Sequence, residues 1–110
     1  GDLENAAAYL SKYAPVKGLP GAIVNAQNLG LQGDIAFEQG DKAAAVKFYE
    51  KAVAAADNNY TAPLYLRKAG IAEQAQGRAK QAEAYFQRIL TEYPASSEAR
   101  EAEKLIGSNN

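Results

Sequence analysis

The chain has no Cys, no His, no Trp and no Met. Each absence closes a route. Without His or Cys, the usual nucleophile–base pairs of hydrolases are out of reach. Zinc also loses the ligands it prefers, and carboxylates alone suit harder ions. Without Cys, the redox compartment stays open. Without Trp, a sugar has no indole to stack on, which counts against a glycan-binding reading. Runs of Val, Ile and Thr are missing, which argues against strands. No apolar run within the 110 residues is long enough to span a bilayer, and none has the form of a signal h-region. The lack of an initiator Met, with Gly1 in first place, reads as an excised fragment of a longer protein, with room for a targeting segment upstream.

What is present is ordinary in amount and uneven in kind. Hydrophobic residues make up 47% and charged residues 23%, with a net charge of −1. Much of the apolar share is Ala, which suits close helix packing. The basic residues lie scattered among acids at helical spacing, so no basic stripe for a nucleic acid forms. They read as solvated faces with i,i+4 pairs. A chain of this length is one domain with a modest core.

The strongest signal is internal repetition. Gly33-Asp34-Ile35-Ala36-Phe37-Glu38-Gln39-Gly40 returns as Gly70-Ile71-Ala72-Glu73-Gln74-Ala75-Gln76-Gly77, an offset of 37 residues. In the same register Ala45 maps to Ala82, Phe48 to Tyr85, Tyr49 to Phe86 and Lys51 to Arg88. A fixed offset of this size marks a stacked helical repeat. The expected class is therefore all-α, an antiparallel helix-pair α-solenoid of about six helices.

Caps and breakers place the helices. The first spans residues 2–14, with Asp2 as cap and Leu3, Ala6, Ala7, Leu10 and Tyr13 as its apolar stripe. Pro15, Gly18, Pro20 and Gly21 form the one linker. A second helix runs from Ala22 to about Gln39 and ends at Gly40. Asp41 caps a third, to about Ala56. Thr61 is expected to cap a fourth, with Pro63 in its first turn, and that helix ends at Gly77. A fifth spans about Ala79 to Tyr93. Ser96 is expected to cap a sixth that Gly107 closes, leaving Ser108 to Asn110 frayed. The single domain, 1–110, thus reads as a leading helix (2–14), a first repeat (22–57), a second repeat (61–94) and a capping helix (96–106).

These residues resemble the tetratricopeptide repeat family. The first repeat offers Gly33, Gly40, Ala45, Tyr49 and Ala52; the second offers Gly70, Gly77, Ala82, Phe86, Ile89 and Pro94. The resemblance covers roughly residues 22–106. Physics supports the same pairing: a mid-helix Gly costs about 1 kcal/mol relative to Ala, a cost that close approach of a partner helix explains. The offset of 37 exceeds the usual repeat of about 34. The extra residues fall at Asn58, Asn59 and Tyr60, Asp57 replaces the closing Pro of the first repeat, and Gln32 stands where Leu is usual. The run through Glu92-Tyr93-Pro94-Ala95-Ser96 is similar to the ending found in bacterial cell-envelope members: outer-membrane assembly lipoproteins, Tol–Pal coordinators and the membrane-anchored Sec-ancillary subunit. The Tyr9-Leu10-Ser11-Lys12-Tyr13 segment looks like the last group. This implies a periplasmic or cell-envelope location, with a cytoplasmic scaffold as the competitor.

The resemblance implies a non-catalytic scaffold that binds a partner peptide or helix on the face lined by the first helix of each pair. Carried over, that face consists of Gln27, Gly30, Asp34, Phe37 and Glu38 from the first repeat and Leu64, Arg67, Ile71, Gln74 and Ala75 from the second. Gly30 is either simply tolerated there or makes room for a bound chain. The carboxylate clamp of chaperone-binding members is absent, because Gly30, Asp34 and Lys68 stand at its positions and Asp34 repels a carboxylate. Asp34, Glu38 and Asp41 read as an exposed helix face and its cap, not as a catalytic dyad. Gly18-Leu19-Pro20-Gly21 follows no strand and is no phosphate loop. Of the seven Tyr, Tyr49 and Tyr85 read as core, Tyr9 and Tyr13 as packing on the second helix, and Tyr60 and Tyr65 as contact residues near a loop. The partner is expected to be a protein or peptide, without cofactor, metal, nucleic acid or membrane insertion. Self-association into a homodimer and binding of a small ligand or glycan stand as alternatives.

Overall fold

A computed structural model describes residues 21–108 of the chain. The expected leading helix, with Tyr9 and Tyr13, lies outside the described residues, as do Asn109 and Asn110. The described part holds five helices and no strand: α1 (Gly21–Glu38), α2 (Lys42–Ala55), α3 (Ala62–Ala75), α4 (Ala79–Glu92) and α5 (Glu98–Ser108). Each helix packs on the next in sequence, and α3 also reaches α5. The result is an α-solenoid of antiparallel helix pairs, α1–α2 and α3–α4, closed by α5.

The two pair-internal turns are built identically. Gly40 at φ +88° ends α1 and Gly77 at φ +76° ends α3. Gly40 N–H donates to the Phe37 carbonyl and Asp41 N–H to Ala36, while Gly77 N–H donates to Gln74 and Arg78 N–H to Glu73. This is the reverse-turn helix ending that a left-handed residue permits. Asp41 then caps α2, its carboxylate accepting from Ala44 N–H at 3.1 Å.

The two turns between pairs correct the expected caps. Thr61 makes no capping bond with its side chain. Asn58 serves instead: its Oδ1 accepts from Tyr60 N–H at 2.8 Å and Thr61 N–H at 2.7 Å, and its Nδ2 donates to Thr61 Oγ1. The inserted residues are therefore the turn's own hydrogen-bonding device. Ser96 likewise does not cap α5, because its Oγ donates back to the Tyr93 carbonyl at 2.7 Å. Gly107 does not close α5, which runs on to Ser108.

Two buried clusters hold the stack. One joins Ala36, Ala45, Tyr49 and Ala52 to Tyr65, Ala69 and Ala72 across the pairs. The other joins Leu66, Ala82, Phe86 and Ile89 to Ala99 and Ala102. Val53 and Tyr85 touch both. Within each pair one ring meets one glycine. A Cβ on Gly33 would lie 2.5 Å from the Tyr49 ring, and one on Gly70 would lie 2.3 Å from the Phe86 ring. Interiors are packed to near-crystalline density, so the missing Cβ is the space that the ring fills. Ala45 and Ala82, both fully buried, keep the helices equally close.

Candidate functional site

The first helices of the two pairs, α1 and α3, lie side by side and enclose an open cavity of about 230 Å³. Asp34, Phe37, Tyr49, Arg67, Lys68 and Ile71 line it. Four of these belong to the face expected from sequence: Asp34, Phe37, Arg67 and Ile71. Phe37 and Ile71 are only half-buried, so their apolar surface remains available in the cavity. Lys42 approaches the Phe37 ring, with Nζ 5.7 Å from the centroid.

The polar groups form two clips between successive first helices. Lys68 Nζ donates to both Asp34 oxygens at 2.9 Å, and the Tyr49 hydroxyl donates to Asp34 Oδ1 at 2.6 Å. Arg67 reaches forward to Glu101 on α5, Nη1 to Oε2 at 2.9 Å. Both clips span 34 residues, three short of the 37-residue repeat offset, so each reaches about one helical turn before the equivalent position. Burial, and then the hydrogen bond to the Asp34 carboxylate, push the Tyr49 phenol well above its ordinary value. Burial and Asp34 raise Tyr65 too. The Tyr49 phenol is thus held as a neutral donor to Asp34. The Arg67 Nε–H is buried and has no acceptor among the described residues.

The remaining expected positions fall elsewhere. Gln27, Glu38 and Ala75 are exposed, and Gln74 is half-buried. Leu64 packs against the first core cluster. Gly30 corrects its expectation. It is buried in α1, and the Tyr65 ring occupies the position of its absent Cβ. The room it makes is taken by the protein itself. Tyr65 is correspondingly core, 6% exposed, and stacks on Tyr49 with centroids 6.4 Å apart. Tyr85 is half-buried, packed on both clusters, and donates its hydroxyl to Glu50. Among the described residues, Tyr60 alone of the aromatic residues is broadly exposed, at 84%.

Two lining residues escaped the sequence reading. Tyr49 reads as core from sequence and is core, 3% exposed, and it lines the cavity as well. Lys68 stands between the face positions, and only the 34-residue spacing from Asp34, repeated by Arg67 and Glu101, betrays it. Among the described residues, no group of three or more acidic, His or Cys side chains is placed to hold a metal ion. No described helix is long and apolar enough to cross a membrane.

Two tetratricopeptide repeat models match the chain, one over residues 26–59 and one over residues 65–96. No curated protein and no solved structure matches it. Proteins with such repeats generally mediate protein–protein interaction and are generally non-catalytic. The two matches together cover more than half of the chain, and each falls on a helix pair with the same glycine–ring packing: the chain belongs to the tetratricopeptide repeat family.

Proposed function

We propose that the α1–α3 face binds a segment of a partner protein, an amphipathic peptide or helix, and that the chain is a non-catalytic interaction scaffold. The observation that carries this reading is the open cavity itself. Phe37 and Ile71 stand in it as half-buried apolar anchors. Around them, opposite charges already pair, Lys68 with Asp34 and Arg67 with Glu101. A rim neutralised in this way favours an apolar side chain with polar neighbours over a free carboxylate terminus. Gln27, Glu38, Leu64 and Gln74 extend the face along the two helices, while Gly30 leaves the set. Binding energy on such a surface concentrates in a few apolar and Arg anchors.

The Tyr93-Pro94-Ala95-Ser96 ending supports a place in cell-envelope assembly or protein export, on the periplasmic side. That reading rests on the resemblance of the segment alone.

Capture of the native partner from a lysate tests the site. Phe37→Ala and Ile71→Ser weaken capture with little loss of helicity, and Lys47→Glu, exposed on α2, retains it. If Lys47→Glu abolishes capture and the cavity variants keep it, the partner binds the opposite face and the reading fails. Recovery of the chain itself as the captured species makes self-association the function instead.

A further inference from the structure

The turn between the helix pairs carries two adjacent Asn residues with different fates. Asn58 makes the hydrogen bonds that close the turn, whereas the Asn59 side chain makes none among the described residues. Asn59 is exposed, and so is Tyr60 beside it. Of the seven Asn in the sequence, Asn59 alone is followed two residues later by Ser or Thr, in Asn59-Tyr60-Thr61. That is the Asn-x-Thr pattern of an N-linked glycan acceptor, which belongs on a surface loop. Here the pattern falls on the residues that lengthen the repeat, at an open turn.

We propose that Asn59 is an acceptor for an N-linked oligosaccharide. This rests on the envelope location read above, since such acceptors work in exported chains. The co-substrate is an oligosaccharide held by its anomeric carbon on a lipid pyrophosphate. The Asn59 amide nitrogen forms a bond to that carbon as the carbon–oxygen bond to the pyrophosphate breaks. The lipid pyrophosphate leaves with the electron pair, and the amide nitrogen gives up one proton to a base of the transferase.

The structure also sets when this happens. Along an extended segment, alternate residues point to one side. Asp57, Asn59 and Thr61 then present a carboxylate, the acceptor amide and a hydroxyl together. Folding withdraws the outer two. Thr61 is 6% exposed and its Oγ1 accepts from Asn58 Nδ2, while Asp57 accepts the Tyr93 hydroxyl. Transfer therefore precedes closure of the turn. Afterwards the sugar has room, because the Asn59 side chain stays outside the packed stack. It also stays clear of the cavity. Ile71 lies nine residues beyond Ala62, the start of α3, which is about 14 Å along the helix axis.

The test uses the full chain behind a cleavable export signal, made in cells that N-glycosylate exported proteins. Intact mass is the readout. The expected result is a single glycan-sized step, removed by peptide N-glycosidase with a carboxylate left in place of the Asn59 amide. Asn59→Gln and Thr61→Ala lose the step, and Thr61→Ser keeps it. Modified and bare chains are expected to show the same helicity. An exported chain, its signal removed, that shows no step overturns the proposal, and so does a step that survives Asn59→Gln. A modified fusion beside a bare Asn59 in the chain's own cells leaves the acceptor standing and overturns the envelope location.

Discussion

The Tyr65 ring sits where Gly30 would carry its Cβ, with Cε1 2.1 Å from that position. This contact joins the two repeats: Gly30 is on α1, Tyr65 is on α3, and the ring stacks on Tyr49 of α2 at the same point. A Gly→Ala change in an exposed helix interior gains about 1 kcal/mol from backbone entropy. Here the ring must move, and it has a stacked neighbour behind it. Overpacking of this kind costs about 1–3 kcal/mol, so the steric term wins. Gly30→Ala is expected to lower the melting temperature. Gly107→Ala, with nothing within 4 Å of its Cβ, is expected to leave it unchanged or raise it slightly. Equal responses in a thermal melt would show that the repeats are not locked at this contact.

Within the second repeat the corresponding test lies on α4. Ala82 is fully buried, whereas Ala79 is exposed in the first turn. Ala82→Leu is expected to cost about 1–3 kcal/mol by overpacking the helix pair. Ala79→Leu is expected to stay within a few tenths of the parent, as surface changes usually do. Urea unfolding of the two variants checks this. Equal, negligible shifts would break the assignment of Ala82 to the close-approach position.

The Gly33–Tyr49 and Gly70–Phe86 contacts were legible because both partners lie within one helix pair at one spacing, and the pattern occurs twice. Steric fit of that sort has to be written into residue types. The Gly30–Tyr65 contact is not legible in sequence for the opposite reason. Their partnership crosses the repeat boundary, and only one copy of it exists, since Arg67 and Ala102 stand at the equivalent places. The caps divide in the same way. Asp41 is local and was plain, but Asn58 took the role assigned to Thr61 because its amide can serve two N–H groups and the hydroxyl at once. The candidate site was half legible. Phe37 and Ile71 follow from the repeat register, whereas Lys68 enters through a charge pair between repeats that no local pattern announces.

Tyr93 gives the stack a limit on the alkaline side. It is buried, and its hydroxyl donates to Asp57 Oδ1 at 2.5 Å, tying the end of α4 to the end of α2. Burial, then the hydrogen bond to Asp57, push its pKa up from 10.0 to about 12. A folded-state value above the unfolded one means that the contribution is complete below pH 10. It is lost as pH rises toward 12. Two units correspond to at most about 3 kcal/mol. Stability measured by denaturant is expected to be flat up to about pH 10 and to fall beyond it. Tyr93→Phe should lower the plateau and make the fall shallower. A variant with an unchanged alkaline slope would remove Tyr93 from this role.

Arg67 separates stability from binding. Its ion pair with Glu101 is 28% and 45% exposed on the two sides, and pairs of that exposure contribute about 0–1 kcal/mol. Against this stands the buried Nε–H without an acceptor, which costs about 1–3 kcal/mol. Met keeps most of the aliphatic stem of Arg and removes the orphaned donor. Arg67→Met is therefore expected to be neutral or stabilising in a urea titration. On the proposed reading of the cavity as a binding face, Arg67 is one of its anchors, so the same substitution should weaken partner capture. Lys68→Met provides the comparison: it removes a pair with no unsatisfied donor and is expected to cost about 1 kcal/mol or less. If Arg67→Met instead destabilises by more than about 2 kcal/mol, well above the ion-pair range, the guanidinium is a structural clip and the cavity loses its polar anchor.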